Sequence, residues 1–142
     1  MTNRLLAGLA LVALAVAGGV VPASGKGSRA GVYSAAQADE GAQVYARQCA
    51  MCHGTRLEGT VETPALVGKF VANWADRPLS DLFDYLARAM PQGRPGTLAA
   101  QDNARLVAFI LRANGAPPGD AVLPADAAVL RRITFDPAGL ER

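Results

Sequence analysis

The chain has 142 residues and a formal net charge of +2, a length that fits a single domain. The leader segment described below contains Arg4, so the rest of the chain has 13 basic and 12 acidic residues. The basic residues are scattered among acids, which excludes the clustered basic stripe of a nucleic-acid-binding protein.

The N-terminal segment has the order of parts found in secretory signals. A head with one positive charge, residues 1–4, precedes 17 apolar or glycine residues at 5–21, and small residues follow at 22–25. We therefore predict a signal peptide over 1–24 and export to the periplasm or beyond the cell. Because roughly 17–25 apolar residues span a bilayer, an uncleaved N-terminal anchor facing the periplasm is the alternative.

The first helix is predicted after a flexible Gly/Ser-containing tether over 25–34. Ser34 and Gln37 have the spacing of a capping box, which predicts a helix from Ala35 to Cys49. Gly41 lies in its middle, where glycine costs roughly 1 kcal/mol relative to alanine. Close contact with another helix would explain this residue, and a tolerated surface glycine is the alternative.

A long loop rich in Gly, Thr and Pro follows, from His53 to Trp74. The next helix is predicted from Ser80, as N-cap, to Ala89. It ends at Met90 because the residue before a proline disfavours helical backbone angles.

The third helix is predicted from Ala100 to Asn114, with Gly115 as the residue that terminates it. Ala99 caps poorly, at a cost near 1 kcal/mol, so a later start capped by Asp102 is the alternative. A further short helix is predicted over 125–132.

No strand pattern is present, and the sequence predicts an all-α domain over 35–118 followed by a C-terminal extension over 119–142. Three to four short helices with long loops build a poor core, and aromatic residues make up only 6% of the chain. A large apolar prosthetic group would supply the missing centre.

Cys49-Ala50-Met51-Cys52-His53 has the C-x-x-C-H pattern by which c-type haem is attached. Two thiols three residues apart at a helix end can both reach one porphyrin edge, and the next histidine can reach the iron. A thioredoxin-like site would need a βαβ context, and zinc would need four ligands where the chain offers two cysteines and one histidine. A disulfide across two residues fits poorly with the preferred Cα separation of about 4.4–6.8 Å. The pattern predicts one covalent haem c.

The axial iron ligands follow from the few side chains available. His53 is the only histidine of the chain. Of three methionines, Met1 leaves with the signal and Met51 lies too close to His53, so Met90 is predicted to be the second ligand. Met90 as ordinary core filler is the alternative. Iron would then be five-coordinate, as in a haem sensor or a peroxidase-like protein.

Residues 38 to 115 resemble a class I c-type cytochrome domain, whose fold is a few short helices and long loops around one covalent haem. The resemblance rests on matching sequence elements: Gly41-x-x-x-Tyr45, Cys49-x-x-Cys52-His53-Gly54, Thr63-Pro64-Ala65-Leu66, Met90-Pro91, Pro95-Gly96, Leu98 and Leu106-x-x-Phe109.

The resemblance implies roles for further residues. Gly41 and Tyr45 would pack against Leu106 and Phe109. The carbonyl of Pro64 would accept a hydrogen bond from the second ring nitrogen of the haem-binding histidine. Trp74 resembles the aromatic residue on the propionate side of the family's haem, with simple core packing as the alternative.

The expected function is one-electron transfer rather than enzymatic catalysis. Partners would be a dehydrogenase, a terminal oxidase or both, in transient contact, and a membrane only if the N-terminal segment is uncleaved. The chain is also similar to small bacterial cytochromes that serve periplasmic quinoprotein dehydrogenases. A fixed electron-transfer subunit is the alternative, with the tail over 125–142 as its docking element.

Overall fold

The computed structural model describes residues 31–135, in which helices joined by irregular loops are the regular secondary structure. It contains six helices: α1 (Ala35–Gln48), α2 (Ala50–His53), α3 (Lys69–Trp74), α4 (Leu79–Ala89), α5 (Ala100–Ala113) and α6 (Ala127–Leu130). The range has no β-strand, only isolated bridges that pair Ser34 with Gly119 and Pro78 with Thr134. The predicted all-α fold is confirmed. The predicted signal peptide over 1–24 lies outside the described residues.

Helix α1 begins where the capping pattern places it. The Ser34 hydroxyl accepts a hydrogen bond from the Gln37 backbone N–H at 3.1 Å. The Gln37 side chain does not complete the predicted box, because its amide is paired with the backbone of Leu123, at 2.8 Å to the carbonyl and 2.9 Å from the N–H. Buried backbone groups need such partners, and Gln37 supplies them for a distant segment.

The main contact between helices joins α1 and α5. A Cβ atom at Gly41 would overlap the backbone carbonyl of Arg105 and lie 2.9 Å from Cβ of Phe109. The rings of Tyr45 and Phe109 are 5.2 Å apart, and Leu106 is fully buried on the same helix. Glycine is therefore present at position 41 because the two backbones meet there, and the expected packing of Tyr45 on Phe109 is confirmed.

Two boundaries differ from the prediction in the middle of the chain. Helix α3 lies inside the stretch that was expected to be a loop. Helix α3 has six residues, which is too short for a period of apolar residues to be recognised in the sequence. It is stabilised by Phe70, which is buried and packs on Trp74 with ring centres 5.8 Å apart. Helix α4 begins at Leu79 with Pro78 as N-cap, so the prediction of Ser80 as the cap was wrong. Ser80 is buried inside the helix.

The N-caps of the later helices are Ala99 for α5 and Asp126 for α6. Helix α5 begins at Ala100 although its N-cap, Ala99, makes no side-chain hydrogen bond, so the later start was wrong. The Asp102 carboxylate instead accepts from the Arg105 guanidinium at 2.8 Å. Helix α6 is shorter than the predicted 125–132 and is capped by Asp126, whose carboxylate accepts from the Ala128 N–H.

Residues on both sides of the predicted 35–118 domain contribute to its core. Tyr33, near the end of the predicted tether, is fully buried, and its hydroxyl donates to the Ala116 carbonyl. Leu123, Leu130 and Phe135 of the C-terminal extension are buried as well. Among residues 31–135, no helix combines the length and the apolar character needed to cross a membrane.

Replacing Gly41 by alanine tests the close approach of α1 and α5. Helix propensity alone would favour alanine by about 1 kcal/mol. We nevertheless expect Gly41→Ala to lower the free energy of unfolding by about 1–3 kcal/mol, because the methyl group pushes two backbones apart. The measurement is denaturant unfolding of the purified protein.

Gly93→Ala is the matched control for this change. A Cβ at Gly93 meets no atom within 4 Å, and its backbone angles suit any residue. Its free energy of unfolding should remain within about 1 kcal/mol of the parent value. Equal values for the two variants would contradict the role assigned to Gly41.

Candidate haem-binding site

The two cysteines and the histidine lie at a break between α1 and α2. Cys49 separates the helices with φ −126°, and its N–H donates to the Tyr45 carbonyl at 2.9 Å. Its own carbonyl accepts from the His53 N–H at 2.9 Å, so the motif forms one tight helical turn. Cys49, Cys52 and His53 all line one cavity of about 430 Å³.

The imidazole of His53 is oriented by a backbone carbonyl. His53 is buried, and its Nδ1 is 2.8 Å from the carbonyl oxygen of Pro64. A carbonyl oxygen can only accept, so Nδ1 carries the proton in this pair. The lone pair of the neutral ring then lies on Nε2, which is the form that binds a metal.

The loop that carries Pro64 is shaped by its own backbone hydrogen bonds. The Gly59 N–H donates to the His53 carbonyl at 2.8 Å, and the Leu66 N–H donates to the Leu57 carbonyl at 2.9 Å. Gly59 has φ +70°, and a Cβ there would overlap the Thr63 carbonyl, so glycine is required at this turn. The turns of this loop thus place the Pro64 carbonyl beside the His53 ring.

Tyr45 joins α1 to the residue that follows the histidine. Its hydroxyl donates to the Gly54 carbonyl at 2.6 Å. Burial raises the pKa of Tyr45 to about 12, with the nearby Cys49 thiol as a smaller cause. The hydroxyl therefore remains protonated and able to donate at physiological pH. Gly54 itself has φ +80°, which ends α2 directly after His53.

Helix α4 forms another wall of the cavity. Leu82, Leu86 and Met90 line it, with Met90 half-buried at the C-cap of the helix. Met51 instead has 95% of its surface exposed and does not line the cavity. Of the two methionines within residues 31–135, Met90 is the one that lines the same cavity as His53 and the thiols.

An aromatic cluster closes the cavity between α3 and α4. Trp74 lies 5.7 Å from the ring of Tyr85 and 5.0 Å from the guanidinium of Arg77. All three side chains line the cavity, and Trp74 also packs on Phe70. Trp74 thus lines the cavity and also packs against the core, and its place on the propionate side of a haem stays a prediction.

Tyr85 and Arg77 also line the cavity, although neither was predicted as a site residue. Tyr85 is three residues after Leu82 and one before Leu86, so helical spacing could have placed it on the cavity side of α4. No sequence pattern indicated that Arg77 lines the cavity, because its position depends on helix α3, and that stretch was expected to be a loop.

The Cys49 thiol does not have the lowered pKa of a reactive cysteine. Both cysteines are free, and burial, followed by the proximity of Cys52, raises the pKa of the Cys49 thiol to about 11. Cysteines that exchange disulfides need a lowered pKa. The described residues also contain no cluster of three or more His, Cys, Asp or Glu side chains that could hold a metal ion by themselves.

The residues around the cavity fit a haem. Its volume lies in the range of roughly 300–1,000 Å³ found for cofactor pockets. Leucine, phenylalanine and alanine side chains supply apolar walls, while two thiols, an imidazole and a thioether supply the donors that haem c uses. Cys52 is exposed, so the thiol side of the cavity reaches the surface.

The chain is similar to a chain in the crystal structure of the sulfane dehydrogenase SoxCD from Paracoccus pantotrophus, with 27% identity and a TM-score of 0.52. The match covers 74% of this chain and 56% of that chain, so the protein spans little more than half of this relative. No curated protein matches the sequence.

The family model described as cytochrome c oxidase, cbb3-type, subunit III matches residues 36–110. These residues contain the thiols, His53, Pro64 and Met90, together with helices α1 to α4 and most of α5. Because the match covers more than half of the chain, the protein belongs to this family of class I c-type cytochrome domains, which bind haem c and transfer electrons.

Proposed function

We propose that this protein is a mono-haem c-type cytochrome that carries single electrons between redox partners in the periplasm. The observation that supports this most directly is the shared cavity, which is lined by Cys49, Cys52, His53 and Met90. These residues come from three elements, the α1–α2 break, α2 and the end of α4. Their convergence on one cavity is what a covalently held, six-coordinate haem requires.

Each donor has a separate task in this proposal. Cys49 and Cys52 would hold the haem by thioether bonds, and His53 and Met90 would be its axial ligands. Pro64 keeps Nδ1 of His53 protonated and thereby directs Nε2 into the cavity. The haem, when bound, supplies a ferric/ferrous couple, and a histidine–methionine pair raises its potential.

The remaining residues control access to the cofactor. Leu82, Leu86 and Phe70 provide an apolar lining to the cavity. Cys52 is exposed, and the neighbouring Met51 side chain is almost fully in solvent. Electrons would enter and leave at this edge, through a small and weak contact of the kind typical of redox partners.

The setting of the protein is part of the proposal. The signal pattern over 1–24 supports export to the periplasm, with an uncleaved anchor as the alternative. The partners would be a dehydrogenase that supplies electrons, an oxidase that accepts them, or both. No substrate bond is made or broken by the cytochrome itself, so the proposed protein is not an enzyme.

A second candidate function is favoured by the structural comparison. The similar chain belongs to a structure described as a dehydrogenase, SoxCD, so a fixed electron-transfer subunit of a larger complex has support. In both candidates the haem and its ligands are the same. They differ in whether the partner stays bound.

Haem attachment is tested by the mass of the exported protein. We expect the intact mass to equal one processed chain plus one haem, and the visible spectrum to show a c-type cytochrome. A variant with both Cys49→Ala and Cys52→Ala, expressed in the same host, should not retain haem in denaturing solvent. A colourless parent protein with the bare polypeptide mass would refute the proposal.

Ligation by Met90 is tested by Met90→Ala, with Met51→Ala as the matched methionine control. Loss of the thioether ligand should remove the weak near-infrared methionine-to-iron band of the oxidised protein. The potential should fall by an amount on the order of 0.2 V, a part of the roughly 0.8 V over which axial ligation sets haem potentials. Met51→Ala should keep both properties.

The opposite result would support the five-coordinate alternative. If the parent protein lacks the near-infrared band and its reduced form binds carbon monoxide avidly, Met90 is not a ligand. A haem sensor or a peroxidase-like protein would then be the better description.

The carrier and the fixed subunit are separated by purification from the native host. A carrier that docks weakly should elute at the size of a single chain at physiological ionic strength. Stoichiometric co-purification of a large redox protein, maintained through gel filtration, would instead favour the fixed subunit.

A further inference from the structure

A C-terminal segment outside the family match packs against the helix that carries Met90. The family match ends at residue 110. Residues 126–135, which we call the clasp, comprise the N-cap Asp126, helix α6 and the five residues after it. Helix α4 packs against α5 on one side and against α6 on another. Part of the support of α4 therefore comes from residues beyond those that define the family.

The clasp is joined to the start of α4 by three backbone hydrogen bonds. The Leu79 N–H donates to the Ile133 carbonyl at 2.8 Å. The Phe135 N–H donates to the Arg77 carbonyl at 2.9 Å, and the Phe135 carbonyl accepts from the Asp76 N–H at 2.9 Å. Asp76 has φ +59°, a left-handed conformation that surrounding contacts must maintain. The clasp thus holds the turn between α3 and α4.

This turn is directly connected to the wall of the cavity. Arg77, whose carbonyl is bound by the clasp, places its side chain over the Trp74 ring and lines the cavity. The same turn sets the starting point of α4, an 11-residue helix that ends at Met90. A shift of the turn would therefore move both the aromatic cluster and the methionine.

The side chains of the clasp do not reach the cavity themselves. Leu130 is completely buried and Phe135 nearly so, but neither lines the cavity. Any influence they have on the site must pass through α4 and the α3–α4 turn. They are candidates for positioning residues rather than ligands.

We propose that the clasp positions Met90 for ligation by fixing α4 and the α3–α4 turn. This inference rests on the proposed role of Met90 as an axial ligand. It assigns to the C-terminal extension a function in tuning the haem site, in addition to completing the core.

The chain offers a closely matched control for this proposal. Leu123 and Leu130 are the same residue type in the same extension, with 1% and 0% of their surfaces exposed. Leu123 lies where the extension is bound by Gln37, near the start of α1 and far along that helix from the thiols. Truncation of either leucine removes equal volume from the core, but only Leu130 belongs to the clasp.

The experiment compares Leu130→Ala with Leu123→Ala in the haem-loaded protein. Imidazole serves as an external ligand that binds oxidised iron only when the methionine site opens. We expect its apparent affinity to rise about tenfold in Leu130→Ala, because the open state becomes more populated, and to stay within about twofold in Leu123→Ala. The near-infrared band should weaken only in Leu130→Ala, and hydrogen exchange at the Asp76 and Leu79 amides should accelerate only there.

Both variants will lose stability, so the comparison is made where each is fully folded. Leu130→Val and Leu123→Val, which remove less volume, replace the pair if an alanine variant does not fold. Equal imidazole affinity and equal band intensity in the two variants, with a normal band in the parent, would overturn the clasp proposal alone. Absence of the band in the parent would overturn Met90 ligation, and the clasp proposal with it.

Discussion

The hydrogen bond between the His53 ring and the Pro64 carbonyl is the interaction on which the site depends. The chain has one histidine, and it is buried at the end of a four-residue helix, where only a fixed partner can determine which nitrogen carries the proton. The loop over 54–66 brings the Pro64 carbonyl oxygen to that ring. Its positive-φ residues and internal hydrogen bonds hold the backbone in this path.

The haem is also expected to be a structural element. The cavity of about 430 Å³ has walls built largely from apolar side chains, which would face water if no cofactor were bound. A bound haem would cover these side chains and so add to the core of a chain with few aromatic residues. Folding and cofactor attachment are then closely coupled.

The features that could be predicted from the sequence are those encoded by neighbouring residues. The C-x-x-C-H motif brings its side chains together within one helical turn, and Ser34 caps α1 through a residue three positions away. The prediction that Met90 is a ligand rested on the small number of methionines rather than on geometry, and it remains to be tested. Gly41 indicated a close contact between helices, and the resemblance to class I cytochromes placed Leu106 and Phe109 on the other side of that contact.

The features that could not be predicted depend on contacts between distant residues. Helix α3 is too short to show a period, and Arg77 lines the cavity only because α3 and α4 meet at a turn with a left-handed residue at Asp76. The hydrogen bonds of that turn to Ile133 and Phe135 join residues more than 50 positions apart. Backbone groups of this kind have no sequence signature, because every residue type except proline offers the same donor and acceptor.

The position of the clasp also bears on the choice between a free carrier and a fixed subunit. A fixed subunit was expected to use the tail over 125–142 for docking, which requires apolar side chains that are free to meet a partner. In the described part of that tail, Leu130 and Phe135 are buried against the protein's own core. Its large exposed apolar side chain is that of Val129, with 44% of its surface exposed. An interface strong enough to hold a subunit permanently is usually larger and more apolar than this. Residues 125–135 thus offer little apolar surface for permanent docking, whereas exposed Met51, within the haem motif, and exposed Val61, in the loop after it, suit brief contact during electron transfer.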